Sequence, residues 1–136
     1  YDFEFKLPNG KQSFVNIKSA VLGTKVSKDD ISKGDKLYDF YRTHGDNDLY
    51  IATFIIDFHD DMTISFEECI VFPISWIPDV YVNPSNNGNL QSSYYKDLTK
   101  AVFRTNQEFE EELFSALEVA TRKKKKKYES VNLGLY

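Results

Sequence analysis

The sequence holds one cysteine, one methionine, two histidines and four prolines, and it has no run of 18 apolar residues. Each scarcity excludes something. The lone Cys69 cannot close an internal disulfide, so the fold does not depend on an oxidising compartment, and a cytoplasmic setting is expected. Without a long apolar run there is no membrane span to expect. No charged-then-apolar leader stands at the start, and the chain opens on Tyr1 rather than methionine, so an upstream segment is expected. Neither common Gly-rich phosphate loop is present, no internal repeat is visible, and no cofactor is expected.

What the chain does have is aromatic and apolar mass. Eleven Phe and nine Tyr, within a hydrophobic fraction of 41%, mark a folded composition rather than a disordered one. At 136 residues the size fits a single domain over 1–136, long enough to bury roughly two-thirds of its unfolded surface. The net charge of −4 hides a segregation: residues 29–68 carry eleven carboxylates against Lys33, Lys36 and Arg42, whereas Arg122 and Lys123 to Lys127 form an unbroken basic run. A field divided in this way can steer a charged partner.

The alternation in Asp2 to Leu7 reads as a half-buried strand, with Phe3, Phe5 and Leu7 on one side. Asn9-Gly10 is a strong hairpin signal, and its partner strand is Ser13 to Leu22, with Val15, Ile17 and Val21 on one face. Gly23 to Lys36 reads as a loop ending in a turn at Gly34. Residues 36–43, rich in Tyr and Phe, read as a third strand. The central feature is Leu49 to Phe72, two apolar runs about the turn His59-Asp60-Asp61, expected as a hairpin. Its first strand is apolar on both faces, which implies cover on both sides. Its second places Ile64, Phe66, Ile70 and Phe72 inward, and with them Glu68, a buried carboxylate that needs a partner.

The expected fold is therefore α+β: a mainly antiparallel meander of five or six strands over 1–82, closure into a partial barrel being the alternative. A polar loop follows at 83–91, then two C-terminal helices over 92–128. The first helix begins near Ser92 or Ser93 and carries Tyr95, Leu98, Ala101 and Val102. The second opens at the capping box Thr105 to Glu108 and buries Phe109, Leu113, Ala116, Leu117 and Ala120 as one stripe. Residues 129–136, alternating Val131, Leu133 and Leu135, read as a docked tail, either an added edge strand or a contact with a second copy.

Four chemistries compete. Asp57 and His59 share a strand face, and with Asp61 they form a partial set of ligands for a divalent ion. His44 cannot join them, because a ten-residue strand between the histidines separates them by about 30 Å. Asp57 with Glu67 has the spacing of a metal-dependent phosphodiesterase pair, but Glu68-Cys69 stands where a restriction-type core would place its lysine. A Cys69–His59 nucleophile pair lacks any context that activates the thiol. Arg122, Lys123, Lys124, Lys125, Lys126 and Lys127 could bind nucleic acid through phosphates; the plain alternative is a solvated helix end that favours the helix dipole.

The reading that fits most features is a non-enzymatic protein-interaction protein. Its acidic turns, through Asp46, Asp48, Asp60 and Asp61, and its aromatics Tyr38 and Tyr41 would contact a basic protein partner. The profile resembles that of small acidic immunity, antitoxin and counter-defence proteins.

Overall fold

The structure is a computed structural model that describes residues 2–85 and 88–132. It is an α+β fold of two sheets and two helices. Strands β1 (Phe3–Lys6), β2 (Gln12–Val21), β4 (Asp48–Phe58) and β5 (Ile64–Pro73) form the larger sheet, in the order β1-β2-β4-β5. Strands β3 (Asp29–Lys33), β6 (Tyr81–Val82) and β7 (Asn89–Ser92) form the smaller one, in the order β3-β7-β6. Helix α1 is Gly34–Thr43 and helix α2 is Asn106–Asn132. No described helix is long and apolar enough to cross a membrane.

The two hairpins form where the local signals put them. At Asn9-Gly10 the chain turns with Gly10 at φ 85°, and β1 pairs antiparallel with β2. Strands β4 and β5 pair antiparallel across the His59-Asp60-Asp61 turn. The expected mainly antiparallel meander, with closure into a partial barrel as its alternative, is nevertheless corrected: the strands form two sheets rather than a closed barrel, and β2 and β4 are parallel neighbours. A parallel pair needs a crossover, and β3 and α1 supply it.

Residues 36–43 are thus not a strand but most of α1. Gly34, Leu37 and Tyr41 are its buried residues, spaced three and four apart as a helix face requires. The Tyr and Phe content that favours a strand is outweighed by this packing. Gly34 does not mark a turn. It sits at the start of α1, where an added Cβ would lie 2.8 Å from the Gly88 carbonyl oxygen and 2.8 Å from Leu117 on α2. Rings from both helices complete the contact, with Tyr41 edge-on to Phe109 at 5.2 Å and Tyr38 against Phe114 at 5.5 Å.

Only one of the two expected C-terminal helices exists. The segment at Ser92 and Ser93 is the end of β7 and a turn, because the Asp79 carboxylate takes both the Ser92 hydroxyl at 2.5 Å and the Ser93 amide at 2.6 Å. Those serines satisfy an aspartate instead of capping a helix. Tyr95 then donates its hydroxyl to Asp29 at 2.6 Å, tying this segment to β3. Burial works to raise the Asp29 carboxyl, but the bonds from Tyr95 and Ser27, with Lys96 and Lys18 nearby, outweigh it and hold it below its ordinary range.

Helix α2 starts as its capping box predicts, the Glu108 amide donating to Thr105 Oγ1 at 3.1 Å. Its stripe Phe109, Leu113 and Ala120 is buried, with Ala116 and Leu117 packed beside it. The helix continues to Asn132, so 129–132 is helical rather than an edge strand, and the rest of the expected docked tail lies outside the described residues.

The core joins Phe14, Leu49, Ile51 and Phe72 from one face of the larger sheet to both helices, Ile31, Val82 and Leu90 of the smaller sheet, and Ile74 and Ile77. Substituting Gly34→Ala should destabilise the protein by about 1–3 kcal/mol, since backbone and a packed side chain both stand in the way of the new methyl. Urea denaturation of the two proteins measures this. An unchanged midpoint would mean that α1 and α2 are not in close contact there.

Candidate functional site

Register decides which side chains share a face, because cross-strand partners point the same way and neighbours along a strand point oppositely. In the larger sheet the inner face carries Phe14, Leu49, Ile51 and Phe72. The outer face carries Phe3 and Phe5 of β1; Ser13, Val15, Ile17, Ser19 and Val21 of β2; Tyr50, Ala52, Phe54, Ile56 and Phe58 of β4; and Ile64, Phe66, Cys69 and Val71 of β5. Among the described residues this face has one charged side chain, Asp48 at its near rim, held by Lys11 at 3.1 Å.

The outer face is open. Phe3, Phe5, Ile17, Val21, Phe58, Ile64 and Val71 are exposed, and Phe66 is 74% exposed. Val15 and Ala52 are buried, but they stand apart from the core cluster; small side chains between large ones are covered by their neighbours. Phe54 and Phe66 meet edge to face at 6.2 Å, a ring pair on the surface.

A β-bulge sets the composition of this face. Pairing shifts between Ile55↔Glu68 and Ile56↔Phe66, which leaves Glu67 as the extra residue of β5. An inserted residue exchanges the faces beyond it. Ile64 and Phe66 therefore lie outward, whereas Ile70 and Phe72 lie inward; the single alternation read from the sequence holds on only one side of the bulge. Glu68 is exposed, so the buried carboxylate in search of a partner does not exist.

The bulge also assembles the candidate ligands differently. Asp57, His59 and Glu67 bring their ligand atoms within 4.8 Å of one another, while Asp61 accepts from the Thr63 amide at 3.0 Å and from its hydroxyl at 2.6 Å. Those two bonds hold the Asp61 carboxyl below its usual range. Within the cluster His59 Nε2 lies 2.8 Å from Ser65 Oγ, which donates to Glu67 at 2.7 Å; the ring nitrogen is then the donor. A carboxylate, an imidazole and a second carboxylate are a donor set for a divalent ion. Here His59 and Glu67 are exposed and already engaged with Ser65.

The acidic contact surface expected from the sequence is not one surface. Asp46 and Asp48 lie at the start of β4 and Asp60 and Asp61 past its end, so the strand separates them by about 33 Å. Asp48 also serves the fold, taking Lys11 and the Tyr50 hydroxyl at 3.3 Å. Tyr38 packs between Phe114 and the Arg42 guanidinium. Tyr41 is 1% exposed and cannot touch a partner.

Arg122 and Lys123 to Lys127 are all exposed on α2 beyond Ala120, the last residue of the helix described as buried. At about 100° per residue the six cations run the full way round the helix, which projects about 18 Å past Ala120 to Asn132. The dipole account of the run is corrected: no basic residue falls in the last turn of the helix.

The Tyr41 hydroxyl finds no hydrogen-bond partner among the described residues. Burial first, with the Asp48 and Tyr50 charges adding to it, pushes its pKa well above the ordinary phenol range. Removing an unpaired buried hydroxyl is neutral or favourable, so Tyr41→Phe should leave stability unchanged or raise it by up to about 1 kcal/mol. A loss of more than that in a denaturant titration would place a partner on the hydroxyl.

No protein-family model matches this chain, and no curated protein matches it.

Proposed function

We propose that this protein acts by binding protein rather than by catalysis, and that its contact surface is the outer face of the larger sheet. One observation carries the reading: a face of four strands with exposed rings and branched aliphatics, uncharged from Tyr50 to Phe58 and from Ile64 to Phe66. Contiguous apolar patches beyond a few hundred Å² mark interaction sites on folded proteins. Strands of about ten residues at about 3.3 Å each, spaced by about 4.8 Å, give a patch of roughly 500–600 Å². The composition also resembles that of small acidic immunity, antitoxin and counter-defence proteins.

Photo-crosslinking tests it directly. A benzophenone side chain in place of Phe66 or Ile17 should give protein adducts in cells, whereas the same group at Glu111, on an exposed stretch of α2, should give none. Equal labelling at all three positions, or none at Phe66 and Ile17, would remove the outer face as the contact surface. Stability controls are simple, because surface substitutions of this kind stay within about 0.5 kcal/mol.

A second reading rests on the basic collar of α2. Consecutive cations around a projecting helix repel one another at i, i+4 spacing, by roughly 0.2–0.5 kcal/mol per pair, and a polyanion relieves that. Lys124 also lines a cleft of about 470 Å³ with Lys33 and Thr121. If the collar takes nucleic acid, log K should fall linearly with log salt, with a slope near −0.9 for each phosphate contacted. Replacing Lys123 to Lys127 with glutamine should flatten that slope, and binding to duplex DNA that ignores salt would exclude the collar.

A further inference from the structure

Resting on the outer face as the contact surface, we infer that its occupant is a second copy of this chain, the two larger sheets packing face to face across a two-fold axis. Three observations favour a second copy over a charged partner. First, the middle of the face carries no charge among the described residues. Two copies of a protein of net charge −4 therefore meet there without opposing like charges, and a basic partner finds no carboxylate within it.

Second, the area suffices. Two patches of roughly 500–600 Å² together bury roughly 1,000–1,200 Å², which clears the roughly 1,000 Å² a biological interface needs and lies at the low end of the specific range. An apolar interface of this composition is the kind that homodimers use. Third, the shape suits it. Twisted sheets stack at about 10 Å with their strands aligned to within about 30°, burying the inward side chains of both, and a two-fold axis uses the same patch on each copy. The dimer is a β-sandwich with the helices on its outside.

Cys69 reports on this interface. It is exposed, pairs with Phe54 in the register, and so lies on the outer face. Sedimentation velocity across the micromolar range should give a mass of twice 15.8 kDa, and Cys69 should react with a thiol reagent more slowly as concentration rises. The double variant Phe66→Asp, Ile17→Asp should sediment at 15.8 kDa with native circular dichroism and a Cys69 whose reactivity no longer depends on concentration. The Phe66 benzophenone protein should crosslink mainly to itself. A wild-type chain that stays monomeric overturns the second copy; crosslinks from Phe66 to a different protein then leave the contact surface standing, and the absence of any crosslink removes both. A dimer that survives the double variant places its interface elsewhere and overturns the inference.

Discussion

The parallel pairing of β2 with β4 determines where everything else lies. Parallel neighbours cannot be joined by a tight turn, so the chain between them must cross one face of the sheet. It does so with β3 and α1, and Lys18 of β2 donates to the Asp30 carbonyl at 2.6 Å as β3 passes by. The later elements follow the same side. Strand β7 pairs with β3, and α2 packs on α1 and β6. Among the described residues both helices and the smaller sheet therefore gather on the inner face, and only the near end of the outer face, at Asp48 and Tyr50, is flanked by Trp76 and residues 104–106. The outer face is bare because of connectivity, although its composition is that of a buried layer.

The parts of the fold legible in the sequence were those fixed by neighbours in the chain. Asn9-Gly10 needs only its own backbone to turn, and Thr105 needs only the amide of Glu108. The β4–β5 hairpin follows from two apolar runs about a polar turn. The rest is decided by residues distant in the chain. Whether residues 36–43 form a helix depends on Leu37 and Tyr41 meeting Phe109 and Leu113, far along the chain. Ser92 and Ser93 carry a helix-start signal that Asp79 overrides. The bulge at Glu67 shows in the alternation only as Glu68, a carboxylate in the inward series, which does not by itself tell a bulge from a buried charge; the bulge decides that Phe66 faces solvent and that Glu67 joins Asp57 and His59 in place of Asp61.

One signal was legible but assigned to the wrong cause. Strand β4 is apolar on both faces, a pattern that implies cover on both sides. Among the described residues the helices and the smaller sheet cover one side, while on the other Tyr50, Phe54 and Ile56 are half-buried and Phe58 is exposed. At about 25 cal/mol per Å², hiding the roughly 1,000 Å² of apolar surface that two copies bring together is favourable by about 25 kcal/mol before the costs of association, which themselves run from about 4 to 15 kcal/mol. The gain exceeds that cost, and side-chain ordering and imperfect packing draw on the surplus. Its affinity for an occupant depends on how well the rings of Phe54, Phe58 and Phe66 are packed, more than on its area.

An open apolar sheet carries a hazard as well, because unpaired strand edges invite unlimited pairing. The edges here are guarded by different means. Strand β1 is four residues long and alternates Phe3 and Phe5 with Glu4 and Lys6. Where β1 ends, the Asp2 carboxylate takes the Ile17 amide of β2 at 2.5 Å, so that donor is closed to another strand. At the opposite edge β5 carries the bulge and the exposed pair Glu67 and Glu68, and it ends on Pro73, which has no amide to offer. Charge and irregularity are thus concentrated on the edges and withheld from the face. Growth by edge pairing is disfavoured while stacking on the face is left open, and stacking consumes the surface that drives it. A two-fold pair closes on itself, whereas an exposed edge would not.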